Sequence, residues 1–428
     1  MPPPDRSGGA TARQVLRNPK IWITPTVLVG VVSLLLSLLY MGGILNPRTD
    51  LHRLPVGLVN ADRGGVIGGK QENLGARITA GIAAAPDPGD RVGWRILSPA
   101  AARDALASNQ IYGALEIPAG FTAAIAALGT PAGRSPDRPT MTVLTNPGSG
   151  SLAASFATTT AQQAARQASL ELGRQLTAAV PPTAAPVSSA AALLLADPAT
   201  VVTVVGHPIG PHSGLGLSAF YYTLLLVLAG FLGANIINNG VDVALGYTDN
   251  ELGPWHTRRQ TVPISRRRTL VVKSVMSVAL AVLTSALIMA ATVGLLGMDA
   301  SHLPLLFLFS FCASAAVGLG VQAINATFGG IGQLVSMFVF IVLALPSSGA
   351  TIPLQALPTF YRFLAHFEPM RQLSDGIRAI LYFDAQADAG LGRAWTMIAV
   401  GTVAALVLGF SMTTYYDRKG LGRLPGKT

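Results

Sequence analysis

Long apolar runs without a single charge alternate with polar, charge-bearing segments along this chain. The runs cover 21–45, 216–241, 274–298, 303–361 and 394–416. Within the fourth, Gly329, Gly330 and Gly332 separate two helix-sized pieces at 303–325 and 331–346. Each piece approaches the roughly 20 residues that an α-helix needs to cross about 30 Å of hydrocarbon. The pattern predicts six transmembrane helices: helix 1 at 21–45, helix 2 at 216–241, helices 3 to 5 within 274–346, and helix 6 at 394–416. Arg13, Arg17 and Lys20 precede the first run as they would in a signal peptide. Its apolar core is longer than the about 7 to 15 residues of such a peptide, and no small-residue cleavage site follows, so it reads as a retained anchor.

Between helices 1 and 2 the pattern changes. Residues 46–215 carry short strand-like stretches at 55–60, 92–97, 111–117, 141–145 and 201–205, with helix-like sequence between them. Ser98 followed by Pro99 is an N-cap signal, because proline needs no intrahelical donor in the first turn. Residues 151–179, rich in Ala, Gln and Leu without proline, predict one long helix, either upright as a stalk or lying across the domain. The PPTAAP stretch at 181–186 reads as a linker. The fold class is thus an α-helical polytopic membrane protein with an inserted extracytoplasmic α/β domain.

Composition agrees with a membrane solvent: of 428 residues, 50% are hydrophobic and only 12% charged, against about a quarter charged in soluble domains. The one cysteine, Cys312, excludes a disulfide framework within the chain. The formal net charge of +10 is concentrated in three short segments: 1–20, 242–273 and 417–428. They hold Arg6, Arg13, Arg17, Lys20, Arg258, Arg259, Arg266, Arg267, Arg268, Lys273, Arg418, Lys419, Arg423 and Lys427 against five acids. Basic residues flanking spans stay on the cytoplasmic side. Both termini and the 242–273 loop are therefore expected inside, and 46–215 and the 347–393 loop outside, in the cytoplasmic membrane. Basic and aromatic residues are not interleaved as a nucleic-acid surface would require. An arginine-rich, lysine-poor, alanine-rich usage fits a bacterial source.

Candidate chemistry is sparse. GGVIGGKQ at 64–71 approximates a phosphate-binding loop, but Gln71 replaces the magnesium-binding Ser or Thr. Glycines in a turn explain it better. The histidines at 52, 207, 212, 256, 302 and 366 form no zinc motif, and His207 and His212 read as exposed loop residues. No G-x-S-x-G elbow is present. The expectation is a protein that is not an enzyme, with no metal and no cofactor of its own.

One polar stripe stands out in helix 2. Asn235, Asn238, Asn239 and Asp242 recur at i, i+3, i+4 and i+7, on one helix face. Facing water, they would line the cytoplasmic mouth of a substrate path; facing other helices, they would be interhelical hydrogen bonds, with Asp242 at headgroup level. The second account is the simpler. Ser314 and Gly318 have the small-xxx-small spacing of close helix packing. Met370, Leu373, Ile377 and Ile380 share a face that predicts an interfacial helix in the outer loop. The loop HTRRQTVPISRRR, carrying Arg258, Arg259, Arg266, Arg267 and Arg268, is both an orientation signal and a candidate coupling loop for a soluble partner.

The phrases LPVGLVNADRGG and IYGALEIPAGFT, the order of spans and outer domain, and PSSGATIPLQALPTFYRFLAHFEPMRQLSDGIRAI before the last span resemble the YhgE/Pip branch of the ABC type-2 transporter membrane proteins. The resemblance covers about 20–416. It implies an export-type permease, often dimeric, working with a separate cytoplasmic ATPase that touches the loop between spans two and three. This chain has no nucleotide-binding domain, so ATP would act only through that partner. Two functions are expected in competition. One is a permease subunit moving an amphipathic or lipidic compound or drug outward; the other is a membrane-anchored scaffold or receptor whose outer domain binds an envelope component.

Overall fold

The computed structural model describes residues 17, 19–44, 47–67, 69–87, 89–128, 138–178, 194–344, 348–349 and 352–423. Arg6, Arg13, Lys427 and the linker at 181–186 lie outside the described residues. The first described element is helix α1 (Pro19–Ile44), and an α/β unit follows it. Its elements are β1 (Leu54–Asn60), β2 (Gly65–Ile67), β3 (Lys70–Glu72), α2 (Leu74–Ala84), β4 (Val92–Leu97), α3 (Pro99–Ala107), β5 (Gly113–Ile117), α4 (Phe121–Leu128), β6 (Thr140–Thr145), α5 (Ser151–Ala178) and β7 (Thr200–Val205).

Five strands form one sheet in the order β4-β1-β5-β6-β7. β1 runs parallel to β4 and β5, β6 is antiparallel to β5, and β7 is parallel to β6. The interior strand β1 is covered on both faces, which is why LPVGLV is one unbroken apolar run. One face packs Leu54, Val56, Leu58, Leu115 and Met141 under α5 and α4, and the other packs Val59 and Ala114 against Ala102 and Leu106 of α3. Helix α5 lies across the sheet and is not a stalk. Ala153, Ala157, Ala161 and Ala165, at four-residue spacing, are buried along its length, so alanines let the helix approach the strands closely. GGVIGGKQ folds as the β2–β3 hairpin. Gly64 and Gly69 take φ of +76° and +81° there, the left-handed backbone that glycine adopts without strain.

Asp62, just after β1, gives the Asn60-Ala61-Asp62 part of LPVGLVNADRGG a structural role. It is buried, and its carboxylate accepts from the Thr122 hydroxyl and from the backbone N–H groups of Thr122 (3.2 Å), Gly64 (3.3 Å) and Gly75 (3.1 Å). One carboxylate thus ties the starts of α2 and α4 to the end of β1, stabilised by their helix dipoles.

The helical part comprises α6 (Ser218–Ala244), a small hairpin of β8 (Asn250–Leu252) and β9 (Trp255–Thr257), α7 (Arg266–Met289, prolonged to Leu295 by a wider turn), α8 (Leu303–Phe328), α9 (Gly332–Met337), α10 (Thr359–Leu364), α11 (Pro369–Tyr382) and α12 (Gly392–Arg418). Among the described residues, four helical runs are long and apolar enough to cross a membrane: Ser218–Ala244, Arg266–Leu295, Leu303–Val342 and Ala387–Arg418. The third run doubles back. Gly329 takes φ 60°, ψ −126°, and a side chain at Gly332 would meet Asn325 Cα at 2.6 Å. The fifth predicted span corresponds to this return limb, α9 continued by a wider helical turn at Phe338–Val342.

Helix α8 is the hub, packed against α6, α7 and α12. At the small-xxx-small site, Ser314 Oγ donates to Leu226 O (3.1 Å), and a side chain at Gly230 would meet Ser314 O at 2.8 Å. The helix expected to rest in the interface behaves differently. In α11, Met370, Leu373, Ile377 and Ile380 pack into the bundle, and Gln372, Ser374 and Arg378 on its other faces are buried as well. The α/β unit sits over it. His207 Nε2 lies 2.8 Å from Tyr382 O, and its ring stacks on Phe383. Tyr382 Oη in turn donates to Ser213 O and accepts from Ala219 N, pinning the start of α6. His207 is thus half-buried, unlike the exposed His212, and the two do not converge.

Candidate functional site

At the end of the bundle away from the sheet, α6, α7, α8 and α12 enclose a cavity of about 300 Å³. Three of the four stripe residues on α6 turn toward it or toward its wall. Asn235, Asn238 and Asp242 lie within a 60° arc, whereas Asn239 stands 100° from Asn238 and is exposed.

Asp242 is buried, and two cations meet on its Oδ1: Lys273 Nζ at 2.8 Å and Arg423 Nη1 at 2.6 Å. Lys273 Nζ also donates to Asn238 Oδ1 at 2.6 Å. The Arg423 guanidinium lies over the Tyr247 ring, 4.3 Å from its centroid. A buried carboxylate is costly unless it is paired and hydrogen-bonded, and here it is both. Asp242 lies two residues before the end of α6 and is held there by these two cations.

Helix α8 completes the wall with two amides. Gln322 Nε2 donates to Ala234 O (2.8 Å) and Ser277 Oγ (3.2 Å), and Asn325 Nδ2 donates to Asn235 Oδ1 (3.2 Å). These partners fix which atom of each amide is nitrogen. Gln322 Oε1 and Asn325 Oδ1 are left as buried acceptors without a partner among the described residues.

The chamber floor depends on a second carboxylate. Asp417 of α12 accepts from the backbone N–H groups of Arg266 and Arg267, each at 3.0 Å, and Ser265 Oγ accepts from Arg268 N at 3.3 Å. Together they satisfy donors that open the first turn of α7. Arg266 folds back over Tyr416 and donates from Nε to Leu421 O at 2.7 Å, so it lines the chamber. Arg258 lies 3.6 Å from Asp249, and Arg258, Arg259, Arg267 and Arg268 are exposed. The five arginines therefore divide: one is structural and four face outward.

Sequence reasoning missed Lys273, Gln322, Asn325 and Arg423. Lys273 reads as the end of a loop only if α7 starts after it. The Ser265 cap starts the helix earlier and places Lys273 two turns inside. Among the described residues no group of three or more His, Cys, Asp and Glu side chains is arranged to hold a metal ion. The chamber thus combines paired charges with a confined polar volume.

Residues 25–402 match the family described as "Protein of unknown function (DUF3533)". A stretch of 110 residues is 30% identical to "Uncharacterized protein YhgE" of Bacillus subtilis (strain 168), covering 26% of this chain and 13% of that relative. No solved structure matches.

Proposed function

Because this chain belongs to the DUF3533 family and is YhgE/Pip-like, and is a multi-pass membrane protein by its apolar helices, we propose that it is an exporter-type permease subunit. It moves an amphipathic or lipidic compound or drug outward across the cytoplasmic membrane. In this reading α1, the four long runs and the return limb make six spans, both termini are cytoplasmic, and the α/β unit is extracytoplasmic. The working form is a homodimer in the lipid bilayer, with ATP supplied through a separate cytoplasmic ATPase. The observation that supports it is the chamber around Asp242: a polar space of about 300 Å³ among apolar helices, of the kind that marks substrate paths.

The test follows from how the arginines divide. Arg266→Lys would disturb the contacts with Tyr416 and Leu421, so it is left alone. Arg267→Lys with Arg268→Lys keeps the charge but removes the planar fork that pairs with carboxylates. The double variant is expected to insert normally and to lose both co-purification with a cytoplasmic ATPase and export. If the wild type retains no ATPase after mild extraction and exports nothing, the scaffold reading takes its place. A groove of about 590 Å³ on the α/β unit, with Trp94 and Leu172 in its lining and Arg77 and Arg91 beside them, favours that second reading as a site for an envelope component.

A further inference from the structure

We infer that the chamber around Asp242 binds an oxoanion of the phosphate class, either free or as the headgroup of an amphiphile. Three cations and one carboxylate line it: Arg266, Lys273 and Arg423 against Asp242. Lys273 and Arg423 both donate to Asp242 Oδ1, at 2.8 and 2.6 Å, yet one negative charge offsets only one of them. Arg266 gives its Nε to Leu421 O at 2.7 Å and its Nη2 to Gly422 O at 3.5 Å. These carbonyls take up its hydrogens and leave its charge. Three positive charges against one negative give the lining a surplus of two. Asp417 stands outside this lining and already meets the backbone donors that open α7, so it lowers the surplus by one at most. The Lys273 and Arg423 side chains are only 8% and 21% exposed, which limits screening by bulk water.

The charge selects the occupant. A surplus of like charge in a confined space among apolar helices is unfavourable until a counter-charge enters, and water brings none. Coulomb attraction acts through space, so this holds whichever way each N–H is turned. The donors agree with the charge. A guanidinium has five N–H groups and an ammonium three, and contacts among the described residues use one from Arg423 and two each from Lys273 and Arg266. Asn238 Oδ1 accepts from Lys273, so its amide nitrogen remains as a further donor. Planar guanidinium groups take oxygens of phosphate or carboxylate in pairs. With two arginines on one chamber, phosphate is favoured, because it offers oxygens to both where a carboxylate has two in all. The volume of about 300 Å³ admits such a group with several waters of roughly 30 Å³ each. Gly329 and Gly330 in the lining have nothing within 4 Å of a side chain built on them, so the chamber is open there. That the anion is cargo rests on the permease reading; that it binds does not.

The test uses the purified full chain in a maltoside detergent, which brings no phosphate, with chloride in excess and no ATPase. One arm measures inorganic phosphate by equilibrium dialysis. The other follows phosphatidic acid by native mass spectrometry, with diacylglycerol of the same chains as the uncharged control. Saturable binding at one site per chain is expected for phosphate or phosphatidic acid, and none for diacylglycerol. Phosphatidic acid about tenfold tighter than phosphate identifies a lipid headgroup; equal affinities identify the free anion. Gln333 is exposed in the lining, and its side chain has no partner among the described residues. Gln333→Glu therefore adds a carboxylate without breaking a contact, and it should weaken binding about tenfold, as should Arg423→Gln. If neither ligand saturates, or if Gln333→Glu leaves the affinity unchanged, the inference is overturned. Loss of binding confined to Arg267→Gln with Arg268→Gln also overturns it, because the anion would then sit on the exposed arginines. A chain that binds the anion and exports nothing keeps the site and refutes the permease; one that exports and binds none does the reverse.

Discussion

Lys273→Met is the most informative single change. It removes a cation whose Nζ lies 2.8 Å from Asp242 Oδ1 and 2.6 Å from Asn238 Oδ1, with Lys273 and Asp242 side chains only 8% and 12% exposed. Breaking a buried pair by removing one partner typically costs about 3–5 kcal/mol, because the other charge stays behind. Arg423 still reaches Asp242, and its side chain is 21% exposed, so the lower end, about 3 kcal/mol, is expected. Thermal unfolding of detergent-purified protein, followed by intrinsic fluorescence, should then fall by roughly 6–12 °C. Adding Asp242→Leu removes the stranded carboxylate and frees Arg423 to reach solvent, so the double variant should recover at least half of that loss. A single variant melting within about 2 °C of wild type, or a double variant less stable than the single, would refute a chamber organised around this pair.

Three further outcomes are expected. Gly376→Ala puts a methyl group 2.7 Å from Ala394 Cβ and against Phe309; overpacking of this kind costs about 1–3 kcal/mol, read as a lower melting temperature with expression retained. Asp62→Ala strips the shared acceptor from Thr122, Gly64 and Gly75, and limited proteolysis should cut the α/β unit at least tenfold faster, in line with a loss of more than about 1.4 kcal/mol. With Cys312→Ser as background, a cysteine at the exposed Arg174 should react with an impermeant thiol reagent in intact cells, and one at the exposed Gln260 only after permeabilisation; the opposite pattern would reverse the proposed orientation.

Local pattern carried the α/β unit well. The expected strand at 92–97 coincides with β4, and the helix at 151–179 ends within one residue of α5, because sheet strands and an alanine-striped helix declare themselves in neighbouring residues. The break at Gly329 was legible for the same reason. What sequence could not supply was partnership at a distance. Asp242 finds Lys273 31 residues away and Arg423 181 residues away, and no periodicity links them. Helix α11 shows the same limit: its apolar face was visible, but the burial of Gln372 depends on α8 and α12, which share a cavity wall with it and stand far from it in sequence.

The distance between Asp242 and Arg423 also has a meaning in time. A ribosome adding about 5–20 residues per second finishes Asp242 roughly 10–35 s before Arg423 leaves the peptidyl-transferase centre. During that interval Lys273 is the one member of this pair of cations that already exists to meet the carboxylate. Lys273 is therefore available to Asp242 before Arg423 has been made. A chain stopped just short of Arg423 would hold Asp242 with Lys273 alone of the two cations that meet on its Oδ1.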